Sequence, residues 1–203
     1  NRFILMSASG VKIDGTGYQK TKHLAEQYLK YTELNWTIFR PSLIFGDPRG
    51  NNRPEFCTQL KKDMLGLPIP APNFHKGLNP LDAGKFAMSP INVKDVASFF
   101  VKSIDMEASF KKTYHLGGVA YYWKDIIQTI AKAYGKNKWT IPAPAIAIQI
   151  VASLLGRFSW FPISKDQLTM LVEGNVCESD KTFELFKIEP TPFNTETLNY
   201  LNN

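Results

Sequence analysis

Residues 2–46, "RFILMSASGVKIDGTGYQKTKHLAEQYLKYTELNWTIFRPSLIFG", decide the fold. The opening run, Arg2 to Gly10, is short, apolar and closed by small residues, the form of a buried parallel strand at its carboxyl end. A glycine-rich loop leads to a helix from about Gly17 to Thr32, on which Leu24, Ala25, Tyr28 and Leu29 supply an apolar stripe. "NWTIFRPSLIFG", Asn35 to Gly46, is a second buried strand punctuated by Pro41 and Gly46. Strand, helix and strand in that order form the unit of a parallel sheet covered by helices, so the expected class is α/β.

Beyond Gly46 the pattern changes. "GDPRGNNRPEF" is a polar loop, "EFCTQLKKDML" a short helix, and the Pro/Gly-rich stretch up to Pro90 a long excursion of the kind that shapes pockets. "INVKDVASFFVKSI" returns as a strand and a helix that Asp95 is placed to cap, with Asn92 beside it. "KTYHLGG" is a further strand, and "YWKDIIQTIAKAYG" a helix stopped by Gly135. The last sixty residues read as mainly helical, broken by Pro162, Pro190 and Pro192.

The totals exclude several classes. Of the 203 residues, 44% are hydrophobic and 21% charged, which is globular composition and not that of a disordered or fibrous chain. The net charge of +6 is scattered, with no basic stripe interleaved with stacking aromatics, so no nucleic-acid partner is expected. Cys57 and Cys177 are far apart and read as two unpaired thiols of a reducing, cytoplasmic compartment. His23, His75 and His115 are isolated, no Cys-x-x-Cys occurs, and no Gly-x-Ser-x-Gly turn is present, so neither a metal site nor a serine hydrolase is expected. The most apolar run, Ile141 to Gly156, is too short to span a bilayer and reads as a buried or surface-docked helix. The chain opens Asn1-Arg2-Phe3-Ile4, and the expectation is a fragment or processed product.

Tyr18 and Lys22 stand four apart and therefore share a helix face. A lysine so placed favours the phenolate, which suits the tyrosine to proton transfer. The spacing alone carries little, because Tyr134 and Lys138 repeat it where Gly135 and Asn137 end a helix. Context separates the two pairs. A strand ending in serines, a Tyr-x-x-x-Lys helix, "FRPSLIFG", "INVKDVA" and "KTYHLGG" follow one another in an order that resembles the extended short-chain dehydrogenase/reductase superfamily, the NAD-dependent epimerase/dehydratase type. The tail, "FPISKDQLTMLVEGNVCES" and then "FELFKIEPTPF", is similar to the NDUFA-nine-like branch associated with respiratory complex I.

The resemblance implies the C-terminal half of a Rossmann-like sheet, in residues 1–46 and 88–118, and a smaller, mainly helical substrate-side region in 47–87 and 119–203. No Gly-x-x-Gly-x-x-Gly turn occurs, so the N-terminal half of that sheet is expected on another segment, cleaved or omitted. The implied cofactor is NAD or NADP. Tyr18 is then the acid/base, Lys22 its partner on the nicotinamide ribose, and Ser7 or Ser9 the group that orients the substrate oxygen. Arg40, Pro41, Ser42 and Leu43 line the nicotinamide side, while Arg49 and Arg53 suit a substrate phosphate.

One departure bears on activity. Ala8 stands where catalytic relatives carry a hydroxyl, and Ser9 and Gly10 stand where dehydratases carry an Asp-Glu pair, so dehydration is disfavoured. Two readings follow. The first is an NAD(P)-dependent oxidoreductase or epimerase acting on a nucleotide sugar or another alcohol or ketone. The second is a non-catalytic NAD(P)H-binding subunit or assembly factor, associated with a respiratory complex or a membrane surface.

Overall fold

The computed structural model describes residues 1–50, 53–77, 79–148, 150 and 165–202. Part of the apolar run from Ile141 to Gly156 and the Phe161–Ser164 stretch of the tail lie outside the described residues. The chain divides into two compact units: Asn1–Phe45, Ser89–Ala120 and Asn175–Phe193 form the first, and Gly46–Met88, Tyr121–Gly174 and Asn194–Asn203 the second.

The first unit is built on a parallel sheet in the order β1 (Arg2–Met6), β2 (Asn35–Pro41) and β7 (Lys112–Leu116). Trp36 through Phe39 of the central strand are buried on both faces, as a parallel strand under helices requires. Phe39 turns toward Phe99 and Val96 of α3 (Val93–Ser103) and Phe183 and Phe186 of α6 (Asp180–Phe186). Trp36 and Ile38 turn the other way, onto Leu29 of α1 (Gly17–Lys30). A short parallel pair, β3 (Ile44–Phe45) with β6 (Ile91–Asn92), completes the unit.

Three expectations change here. Arg2–Met6 does form a parallel strand, but at the sheet edge, leaving Phe3 and Met6 about half exposed. The inward face of α1 is Gln19, Glu26 and Leu29, whereas Leu24, Ala25 and Tyr28 are solvent exposed. The helix is turned this way because Glu26 meets an arginine of β2, and Leu29 follows it inward one turn later. Finally, α3 is capped by the Asn92 side chain, which accepts from Lys94 N at 2.9 Å. Asp95 instead accepts from Thr191 N and Thr191 Oγ1, each at 2.8 Å, and so ties the C-terminal segment to α3.

The second unit centres on α4 (Trp123–Ala133), whose Ile126, Ile127 and Ile130 are fully buried. Phe56, Phe74 and Phe86 surround the Trp123 ring at centroid distances of 6.3, 6.1 and 5.6 Å, and its indole N–H donates to Pro72 O. Glu55 caps α2 (Phe56–Leu60), which runs into a π-helical turn at Lys61–Leu65. The Pro-rich composition conceals two strands, β4 (Ala71–His75) and β9 (Thr140–Pro144), paired in parallel. Each has only one partner in that pair, so a proline's missing N–H can face away from the ladder. An antiparallel pair, β5 (Ala87–Met88) with β8 (Tyr121–Tyr122), and α5 (Lys165–Glu173) complete the described part. Among the described residues no helix is long and apolar enough to cross a membrane.

Candidate functional site

The carboxyl ends of β1, β2 and β7 carry most of the residues singled out from sequence. Past Met6 the backbone keeps its ladder to β2, with Ser7 N donating to Phe39 O at 2.8 Å and Ser9 N to Pro41 O at 2.9 Å. The loop to α1 is fixed by a capping box: Gln19 N donates to Thr16 Oγ1, and Thr16 N donates back to Gln19 Oε1 at 2.8 Å. The same Gln19 amide donates to Gly10 O at 2.9 Å, which pins the loop onto the first helical turn.

That turn presents Tyr18, half exposed, with the Lys22 ammonium 5.9 Å from its ring centroid. Lys22 Nζ donates to Met6 O at 3.1 Å, so the lysine is anchored to the last residue of β1. Partial burial raises the Tyr18 phenol above its ordinary value. The second Tyr-x-x-x-Lys pair behaves as a chance match: Lys138 Nζ donates to Leu67 O, and the cations near the Tyr134 ring are Lys61 and Lys136.

Of the three strand-end residues Ser7 keeps a hydroxyl without a hydrogen-bond partner, but a buried one. Ala8 carries a methyl group. Ser9 Oγ lies 3.2 Å from Cys177 Sγ, and burial pushes that thiol up, opposed by the Ser9 contact. Arg40 is likewise committed: Nε donates to Glu26 Oε1 at 2.8 Å and Nη2 to Glu26 Oε2, while Nη1 lies 3.5 Å from His115 Nε2. Burial alone would raise the fully buried Glu26 carboxyl, but Arg40, helped by the Ser7 hydroxyl and Lys30, holds it below its ordinary range. The Ser7 contact falls short of full hydrogen-bond geometry and is the weaker of the two. Burial and the Arg40 charge lower His115, against a smaller opposing effect of Glu26.

Ser42 N donates to Leu116 O at 2.7 Å and Ser42 Oγ to Asn175 O at 2.9 Å, while Leu43 O accepts from Ile91 N at 2.8 Å. Pro41 is buried. Arg49 and Arg53 belong to the second unit and are exposed, Arg49 with a positive φ of 49° and its N–H on Asp47 Oδ1.

Sequence reading missed the segment that closes these strand ends. Residues 175–179, "NVCES", run across them as a strap. Asn175 O also accepts from Ser89 N, Cys177 N donates to Ser89 Oγ, and Ser179 Oγ donates to His115 O while accepting from Gly117 N. A Cβ at Gly117 would lie 2.7 Å from Ser89 Cβ and 2.8 Å from Cys177 Cβ, so the strap's approach requires glycine there. Glu26 was the one legible signal: it follows Lys22 by four residues on a helix covering a strand that contains an arginine. Cys57 and Cys177 are both free and buried, and no cluster of metal-ligating side chains occurs among the described residues.

The NAD_binding_4 family, described as Male sterility protein, matches residues 6–62. Among curated proteins, the chloroplast stem-loop binding protein of 41 kDa b from Arabidopsis thaliana is 30% identical over 125 residues, which is 61% of this chain and 30% of that protein. The photosystem II assembly factor Ycf39 of Synechocystis is 26% identical over 106 residues, 49% of this chain and 32% of that one. The chain thus spans about a third of the length of the curated relatives it matches.

Among solved structures, a nucleoside-diphosphate-sugar epimerase from Staphylococcus aureus aligns with a TM-score of 0.67 at 15% identity, over all of this chain and 64% of that one. The UDP-glucose 4-epimerase of Thermus thermophilus, solved with NAD, aligns at 0.64 and 15% identity, over 99% of this chain and 62% of that one. The α/β architecture with its parallel sheet is the fold of these epimerases.

Proposed function

We infer that this chain is a member of the extended short-chain dehydrogenase/reductase superfamily, takes part in holding NAD or NADP and acts as a cofactor-binding subunit or assembly factor. Ligands of open parallel sheets bind outside the carboxyl ends of the strands, and Tyr18 and Lys22 stand at the carboxyl end of β1. Their chemistry fits a ribose hydroxyl pair: an ammonium donor anchored on Met6 O beside a half-exposed phenol. The backbone from Pro41 to Leu43 is the proposed nicotinamide edge. Arg40 serves there through its ion pair with Glu26, not as a free guanidinium. When bound, the cofactor supplies the capacity to accept or donate hydride.

The observation that carries a binding role is the serine strand. Ser7 Oγ has no hydrogen-bond partner but is buried, Ala8 has no hydroxyl, and Ser9 is turned to Cys177, so the strand presents no exposed and unengaged hydroxyl to a substrate oxygen. One curated relative, Ycf39, carries a name that states assembly and not a reaction.

The retained Tyr18–Lys22 pair favours a second reading: an oxidoreductase or epimerase in which Tyr18 exchanges a proton with a substrate oxygen, Lys22 favours its phenolate, and Arg49 and Arg53 bind a nucleotide-sugar diphosphate. Titration of the intact protein with NADH and NADPH, followed by nicotinamide fluorescence, tests the shared premise. Turnover assays with UDP-glucose and simple ketones then separate the readings. Binding without turnover, and with Tyr18→Phe altering affinity by no more than about threefold, is the expected result. Turnover that Tyr18→Phe abolishes overturns the binding role in favour of the enzyme, and loss of all nicotinamide binding removes both.

A further inference from the structure

The strap across the strand ends lies wholly within the first unit and is fastened there by hydroxyl groups. Asn175 O accepts from Ser42 Oγ and from Ser89 N, each at 2.9 Å, and Cys177 N donates to Ser89 Oγ at 3.2 Å. Further on, the buried Ser179 hydroxyl accepts from Gly117 N and donates to His115 O, both at 2.9 Å. Of residues 175–178 only Cys177 is buried. Val176 is 57% exposed and Glu178 is exposed, so no large apolar side chain fastens the segment.

We propose that residues 175–178 are a gate over the substrate side of the strand-end site, pivoting at Ser179 and opening without unfolding the sheet beneath. A segment that buries little apolar surface opens at a lower free energy than the fold that carries it. This one has to release only the latch hydrogen bonds at Ser42 and Ser89 and the thiol contact at Ser9.

The groups that hold the gate shut are those a polar ligand would use. Closed, it takes up Ser9 Oγ with Cys177 Sγ at 3.2 Å, Ser42 Oγ with Asn175 O, and Ser89 Oγ with Cys177 N. Open, it frees those serine hydroxyls together, each able to donate and to accept. They stand at and beside the carboxyl ends of β1 and β2, where ligands of open parallel sheets bind. The engagement of Ser9, which favours a binding role over an enzyme, is then a property of the closed gate. The gate rests on the cofactor-binding reading for what it guards; its opening does not.

The rate at which N-ethylmaleimide alkylates Cys177 in the intact protein, read by mass spectrometry of digests, tests this. Cys57, fully enclosed in the second unit, reports unfolding in the same digests. A local opening exposes little new surface, so the Cys177 rate is expected to stay constant in urea below the unfolding transition. Ser89→Ala removes a latch and is expected to speed the reaction about fivefold. Gly117→Ala, whose methyl group would meet Cys177 and Ser89 under a closed strap, is expected to speed it about tenfold or more. Saturating NADH is expected to slow it about fivefold or more, because a ring at the nicotinamide edge lies against the gate and covers the thiol. A Cys177 rate that climbs with urea in step with unfolding overturns the proposal, as does a rate that neither Ser89→Ala nor Gly117→Ala changes. If NADH binds and leaves the Cys177 rate unchanged, the strap does not guard that site, and the proposal falls while the binding reading stands. If the protein binds no NADH, the cofactor reading falls, and the urea and variant rates still decide whether the strap opens.

Discussion

Where β1, β2 and β7 end, polar side chains are taken up by one another: Ser9 by Cys177, Ser42 by Asn175, Arg40 by Glu26, and Ser179 by both His115 and Gly117. Where β4 and β9 begin, large apolar side chains stand exposed instead: Trp139, Ile69 and Leu67. The first region pairs most of its polar groups internally and leaves the Tyr18 phenol half exposed beside Lys22. The second leaves apolar surface exposed.

The sharpest way to break this contrast is to open the first region. Arg40→Ala leaves the fully buried Glu26 carboxylate without its bidentate partner and is expected to destabilise by about 3–5 kcal/mol, read as a lower midpoint in urea unfolding. The same pair gives a pH signature. Because the folded-state pKa of Glu26 lies below its ordinary 4.5, its stabilising contribution is complete above pH 4.5 and is lost as the pH falls through the depressed value. Unfolding curves recorded from pH 6 downward are expected to steepen below that point, and a Glu26→Gln variant should lack that share of the fall.

Gly117→Ala pushes a methyl group against Ser89 and Cys177 and is expected to cost about 1–3 kcal/mol, with the strap loosening first in hydrogen exchange. At the other extreme, Trp139→Ala removes an exposed ring and is expected to shift stability by less than about 0.5 kcal/mol. A large loss there, seen in the same urea titration, would mean the ring is structural and would blur the comparison.

The half of the first unit that was legible is the half whose signals are local. A continuous apolar run marks β2, a glycine-rich loop marks the approach to α1, and a Gly-Gly end marks β7. The Tyr18–Lys22 spacing gained its meaning from the strands on either side. The strap was illegible because its partners are remote: Cys177 meets Ser9 across 168 positions, and nothing near residue 177 announces it. The turn of α1 was misread because Leu24, Ala25 and Tyr28 are more apolar than Glu26, yet a carboxylate that finds an arginine is buried in preference to them. Strands β4 and β9 were hidden by Pro72, Pro142 and Pro144, which argue against a central strand but not against one paired on a single side.

The strap also sets a schedule for synthesis. The core around Phe39 is completed by Phe183 and Phe186, so β2 must wait for helix residues that follow it much later in the chain. At about 5–20 residues per second, that interval amounts to roughly ten seconds or more on the ribosome. Throughout it, Phe39 lacks the cover that Phe183 and Phe186 supply.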